Sequence, residues 1–307
     1  MNDLDLLHEL APTAEQLLER HLEATRTWYP HAVVPWSRGE DFEADYEWDP
    51  ADAVVPAPVR SALFVNLLTE DNLPYYFRDV HRMFGGPGGG AWSEWTRRWT
   101  AEEGRHAMAI RDYLVVTRSI DPVALEDARM VQMSSGEVPE PPTAFHGFAY
   151  LAIQELATRI AHRNTGKMLD DPAGYEVMAR VASDENLHFL FYRDIAKAAL
   201  EADPSTMMRA IADEVIGFAM PGTGIPDFAA HSKAIAKAGI YDLVAHHEHI
   251  LVPVVLRHWD IENVEGLDAT GEAARDELVA YLAKSGRVAA RMADKRAAAD
   301  AAELAGV

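Results

Sequence analysis

The sequence predicts an all-α protein, and three observations carry that expectation. Runs of alternating β-branched and polar residues are scarce. Ala, Leu, Glu and Arg, all good helix formers, recur at helical spacing. Proline and glycine gather in a few short stretches that divide the periodic segments.

Taken in order, the first helix is expected near Thr13, where Thr13 and Gln16 form a capping-box pattern ahead of Leu17, Leu18 and Leu22. Residues 28–56 read as irregular, with Pro30, Pro35, Pro50 and Pro56. A long helix is expected from about Pro58 to Phe84, stopped by GGPGGG at 85–90. That loop lacks the G-x-G-x-x-G order and follows no strand, so it reads as a helix connection and not a nucleotide cradle. The next helix runs from about Trp92 to Arg118, and Asp121-Pro122 starts a shorter one. After a break at Glu140-Pro141-Pro142, helices are expected over 143–168, 172–202 and 204–219. Met220-Pro221-Gly222 breaks the chain again; the rest, from about 227, is helical, with a fraying Ala-rich end after 290. No composition shift marks a boundary. The expectation is one domain over 1–307: a lead-in (1–56), a bundle (57–203) and additional helices (204–307).

Bulk properties narrow the function. The chain has 307 residues, 49% of them hydrophobic, enough for a sizeable core. It has no cysteine, which excludes disulfides, thiolate zinc sites, iron–sulfur clusters and a cysteine nucleophile, and fits a reducing cytoplasm. The acidic start MNDLDLLHEL has no signal-peptide pattern, and no apolar run approaches the roughly 20 residues of a membrane span, so a soluble cytoplasmic protein is expected. A net charge of −21 argues against a nucleic-acid partner.

Two short motifs carry the chemistry: Glu102-Glu103-Gly104-Arg105-His106 and Asp184-Glu185-Asn186-Leu187-His188. Each contains Glu-x-x-His, and residues three apart on a helix share a face. Trp99 and Ile110 flank the first pair at helical spacing; Val181 and Tyr192 flank the second. A carboxylate and an imidazole turned to a core are costly without compensation, and a metal supplies it. Ferritin-like carboxylate proteins add one Glu from each of two further helices. Glu70 and Glu155 meet that requirement, each preceding its Glu-x-x-His by a similar distance. Four carboxylates and two imidazoles suit iron or manganese better than copper. Pro74, four residues past Glu70, is expected to kink the helix beside the ligand. Thr158, three residues past Glu155, either faces the metal or bonds back to its own helix.

These segments resemble the soluble acyl-[acyl-carrier-protein] desaturases, the plastid stearoyl desaturase family and its actinobacterial relatives. TEDNLPYY around Glu70, WTAEEGRH (family W-T-A-E-E-N-R-H, Gly104 replacing Asn), IQELATRIAHRNT (family Q-E-R-A-T), SDENLH (family D-E-K-R-H) and the tail GIYDLVAHHEHILVPVVLRHWDIENVEGL carry the likeness, which spans most of the chain. The resemblance implies O2-dependent insertion of a cis double bond into an acyl chain on acyl carrier protein. It implies two iron ions on Glu70, Glu103, His106, Glu155, Glu185 and His188, Thr158 as an oxygen-handling residue, and ferredoxin or a similar donor to a homodimer. It also places Asp184 and Trp36 on an electron path towards His106, Trp36 through a W-x-x-x-x-D-F pattern; Asp184 can equally hydrogen-bond a ligand imidazole.

Two departures stand out. Asp79, His81 and Arg82 put polarity where the family lines its tunnel, and the segment MPGTGIPDFAAHSKAIAKAGIY is shorter than in the plant proteins. Two other readings therefore stand beside the desaturase: a related di-iron oxygenase acting on a more polar substrate, and a non-enzymatic ferritin-like metal-binding protein. His246, His247, Glu248 and His249 point in different directions on a helix and read as a partly solvated face. An acidic carrier or electron donor requires a local basic patch. Arg97, Arg98, Arg105, Arg111 and Arg118 form one candidate, and Lys284, Arg287, Arg291, Lys295 and Arg296 another.

Overall fold

A computed structural model describes all residues except 86–88, 136–139, 221, 223 and 305–307. Among the described residues every regular element is helical, as expected. In order these are α1 (Asp3–Glu9), α2 (Ala11–Ala24), the single turn α3 (Pro30–Val33), α4 (Ala57–Glu70), α5 (Leu73–Val80), α6 (Ala91–Val116), α7 (Pro122–Ser135), α8 (Ala144–Lys167), α9 (Pro172–Ala202), α10 (Pro204–Ile216), α11 (Phe228–Lys237), α12 (Leu243–His246) and α13 (Ala269–Leu304). A π-helical stretch, His247–His258, continues α12. Among the described residues no helix is long and apolar enough to cross a membrane.

Three boundaries differ from expectation for local reasons. The chain starts helical at Asp3, where the Asn2 side chain accepts from the Asp5 N–H. A second helix begins at Ala11 because Pro12 occupies its first turn, which leaves Thr13 inside it. The long helix expected to Phe84 is two. Pro74 does not kink a continuous helix: α4 stops at Glu70, and Pro74 sits in the first turn of α5. Lacking an N–H, Pro74 leaves the Glu70 carbonyl without its helical donor, and the chain restarts through Tyr75 N–H to Asn72 O at 2.9 Å. At the other end α13 continues to Leu304 through the Ala-rich stretch expected to fray, as alanine's high helix propensity allows. Residues 86–88 of the glycine loop lie outside the described residues.

Helices α8 and α9, joined by a short turn, form the centre. On α8 nearly every position from Ala144 to Thr158 is buried, so it is enclosed on all sides. One apolar cluster joins α1 and α2 to α8, α9, α10 and the π-helical stretch; a second joins α4 and α6 to α9. Between them run the inner faces of α4, α6, α8 and α9, which are not apolar.

Candidate metal centre

Glu70 ends α4, Glu103 and His106 lie in mid-α6, Glu155 in mid-α8, and Glu185 and His188 in mid-α9; all six side chains are buried. Their donor atoms fall into two groups, each within 4.8 Å: Glu70, Glu103, His106 and Glu185; and Glu103, Glu155, Glu185 and His188. Glu103 and Glu185 belong to both. The Nδ1 of His106 lies 3.6 Å from Glu70 Oε2, 3.6 Å from Glu103 Oε2 and 3.4 Å from Glu185 Oε1. His188 Nδ1 lies 2.8 Å from Glu103 Oε1 and 3.5 Å from Glu155 Oε2. Both Nδ1 atoms, Glu103 Oε1 and Glu155 Oε2 are buried without a hydrogen-bond partner. Unpaired buried polar atoms are expensive, and here they converge on two shared points. That is the arrangement a pair of cations would satisfy, so the residues fit two hard or borderline metal ions, with Glu103 and Glu185 able to serve both.

The electrostatics agree. Burial raises Glu155 well above the usual carboxylate range and raises Glu103, the Glu185 charge adding to both. Burial works against Glu185 too, but the polar contacts of the His106, His162 and His188 rings hold it well below that range. Burial opposes the charged forms of His106 and His188, yet neighbouring carboxylates push both well above the usual imidazole range. Four carboxylates held this close favour positive charge among them.

A further set of residues grips these side chains, and its pattern is reciprocal. The acid preceding each Glu of a Glu-x-x-His reaches across to the other helix's histidine. Glu102 Oε2 on α6 lies 3.0 Å from His188 Nε2 on α9; Asp184 Oδ2 on α9 lies 3.4 Å from His106 Nε2 on α6. Asp184 also accepts from Arg105 at 2.9 Å and from Trp28 Nε1 at 2.9 Å, and the Trp28 ring stacks over His106. The sequence put Trp36 on this path. Trp36 is 48% exposed, and the tryptophan at Asp184 is Trp28. A side chain in contact with solvent on the irregular lead-in has no burial to fix it against the bundle; Trp28 does, at 5% exposure.

His21 and His162 escaped the sequence reading, and Trp99 was read only as a flank. His21 on α2 puts Nε2 2.9 Å from Glu102 Oε2. His162 on α8 puts Nε2 2.9 Å from Glu70 Oε1, and Trp99 donates Nε1–H to Glu155 Oε1 at 3.0 Å. His162 was within reach of periodicity, lying four residues beyond Thr158 on the same face. Thr158 Oγ1 lies 3.0 Å from the Glu155 carbonyl of its own helix and 3.2 Å from Glu185 Oε2.

A cleft opens beside Glu70. Glu70, Thr158 and His162 lie at its polar end, while Val65, Phe228 and Ile235 are among its apolar walls. The polar residues past Glu70 do not line it. His81 and Arg82 are exposed, and buried Asp79 is paired with Arg78 at 2.7 Å. The His246–His249 run gathers no metal group among the described residues. His246 instead stacks on Phe218 and accepts from the Tyr241 hydroxyl at 2.8 Å, if its Nδ1 is unprotonated. Of the basic residues on α6, Arg98, Arg105 and Arg111 are spent on Glu102, Asp184 and Glu126 at 2.6–2.9 Å.

A helical bundle that buries two overlapping Glu/His groups is a ferritin-like carboxylate protein in class. The comparisons sharpen this: the chain belongs to the fatty acid desaturase family, whose model matches residues 2–305. It is 43% identical to the protein assigned as acyl-[acyl-carrier-protein] desaturase DesA1 of Mycobacterium tuberculosis, over 92% of this chain and 86% of that one. It is 31% identical to chloroplastic acyl-[acyl-carrier-protein] desaturase 6 of Oryza sativa, over 89% of this chain and 70% of the relative. The crystal structure of DesA2 from Mycobacterium tuberculosis matches with a TM-score of 0.71 at 26% identity, covering 88% of this chain and 99% of that one.

Proposed function

We propose that this chain is an acyl-[acyl-carrier-protein] desaturase, inserting a cis double bond into an acyl chain at the expense of O2 and two electrons. The balance is –CH2–CH2– + O2 + 2e⁻ + 2H⁺ → –CH=CH– + 2H2O. The observation that carries the reading is the pair of four-residue groups sharing Glu103 and Glu185, in a chain of the desaturase family. Glu70, Glu103, His106, Glu155, Glu185 and His188 would hold two iron ions. When bound, iron supplies the oxidising power to remove hydrogen from two adjacent carbons.

The chain's own residues do the rest. Val65, Phe228 and Ile235 give the acyl chain an apolar route that ends at Glu70, Thr158 and His162. Fixing which carbons stop there decides where the bond forms. Thr158 Oγ1–H, within 3.2 Å of Glu185, can turn from its helix carbonyl to hold an oxygen atom at that end. His162 fixes Glu70 beside the cleft. Asp184, with Trp28 and Arg105, orients His106 and is a route for electrons from a ferredoxin-type donor. The whole chain acts as one domain and pairs as a homodimer. The basic residues of α13 suit an acidic carrier or donor better than those of α6. Among the described residues Lys284, Arg287, Arg291 and Lys295 have no ion pair, whereas Arg296 is bonded to Asp242. A more polar substrate loses its support, because Asp79, His81 and Arg82 lie off the cleft.

Reduced, iron-loaded protein supplied with ferredoxin, O2 and acyl carrier proteins of graded chain length should release an unsaturated product from at least one. None from any length, beside a competent control, would overturn the desaturase. Many irons per chain in a hollow shell would favour storage instead.

A further inference from the structure

We infer that His21 is a positioning residue for the metal centre: through Glu102 it holds the His188 imidazole. This rests on the di-iron reading. His21 comes from α2, far from the ligand motifs in sequence, yet it is 3% exposed. Its Nε2 and that of His188 meet the same oxygen, Glu102 Oε2, at 2.9 and 3.0 Å. The two rings lie nearly parallel with centroids 5.8 Å apart, and Trp95 stands edge-on to both. His188 Nδ1 is turned to Glu103 and Glu155, so its Nε2 carries the proton donated to Glu102. Glu102 is paired with the Arg98 guanidinium, so it meets both rings as a carboxylate. An ionised carboxylate only accepts, so His21 Nε2 is also a donor.

Glu102 therefore divides one oxygen between two imidazoles, while its other oxygen takes Arg98 at 2.6 Å. His21, Glu102 and His188 can also be grouped as a third metal site. That alternative is disfavoured, because the Arg98 cation already neutralises the carboxylate and His188 would have to serve two metals. The counterpart at the other histidine is Asp184, shared by His106 and Trp28. The segment ahead of the bundle thus delivers one ring N–H donor to each supporting carboxylate, His21 on one side and Trp28 on the other.

The consequence is orientation. A carboxylate that accepts from a ligand histidine fixes its ring, and a second donor on the same oxygen holds that carboxylate in place. Removing His21 leaves Glu102 free to swing and lets the His188 ring tilt away from its metal. The effect falls on the metal bound by Glu155 and His188, not on its neighbour.

The test compares wild type with His21→Phe, which keeps bulk but cannot donate, and His21→Gln, whose amide can. Each is loaded with ⁵⁷Fe, and readouts are iron per chain, loss of iron to a chelator, and the Mössbauer spectrum of the two sites. In His21→Phe one of the two irons should leave about tenfold faster and one of two spectral components should shift; His21→Gln should restore both. Identical behaviour of His21→Phe and wild type overturns the role. So does equal damage in both variants, which would mark His21 as packing alone, or a third iron in wild type lost only in His21→Phe. Wild type unable to hold two irons overturns the di-iron reading, and this inference with it.

Discussion

The two ends of the metal centre are built from the same residue types but finished differently. At the Glu155 end the carboxylate accepts from Trp99, and Trp95, Phe191 and Tyr192 pack behind His188; Trp95 and Phe191 stack with centroids 3.6 Å apart. At the Glu70 end the helix stops at the ligand, Pro74 forces a restart, and a cleft replaces the aromatic wall. One end is closed by close-packed rings; the other has a route in. On the proposed function, the difference divides reaction from metal retention: substrate would come to Glu70, and the aromatic end would keep the second metal in place.

Removing what the ends share should have the largest effect. Glu103→Ala or Glu185→Ala should reduce iron from two per chain to near none, a loss of affinity above about a hundredfold, beyond the usual cost of losing a merely supporting contact. Full occupancy by elemental analysis in either variant would refute the shared-ligand assignment. At the closed end, Trp99→Phe keeps the ring but removes the N–H to Glu155. Iron retention should weaken about tenfold, and the metal-free protein should lose about 1–3 kcal/mol for an unpaired buried oxygen; equal denaturation midpoints would contradict this. At the open end, Ile235→Trp should raise KM for the acyl substrate about tenfold by overfilling the cleft, with iron content unchanged. An unchanged KM would place the substrate elsewhere.

The smallest effect on the centre concerns pH. Burial pushes His246 down to about 4, and the charge of His247 adds to this. Because its folded value lies below the unfolded one of about 6.5, its contribution is complete above that pH and is lost as pH falls towards 4. The loss is on the order of 2 kcal/mol and loosens Tyr241, which lines the cleft. Thermal unfolding of wild type should show this acid sensitivity, and His246→Gln should blunt it without changing iron content.

The sequence showed more of the centre than of its surroundings. Both Glu-x-x-His pairs could be read because their spacing matches the helical period, and Glu70 and Glu155 because each half repeats the same order. The bounds expected for α8 and α9, 143–168 and 172–202, were equally legible; the structure adds Thr143 and Asp171 as their caps. What spacing could not give was contact between distant segments. Trp28 and His21 lie on the lead-in, and no local pattern distinguishes Trp28 from Trp36; only burial against Asp184 does. Pro74 was read as kinking one helix and instead begins another; which of the two a proline does depends on tertiary support, which the turn at Asp71–Asn72 supplies.

The crossed arrangement of Glu102 with His188 and Asp184 with His106 bears on how the chain is made and kept. Neither α4 with α6 nor α8 with α9 holds all six candidate ligands or both supports, so on the proposed function full loading would require both pairs to be docked. Whatever free energy the ions contribute accrues to the joining of the halves and adds to their assembly. A cell short of iron would then hold this protein with its halves less firmly closed, open to proteolysis, so that its abundance tracks the metal supply.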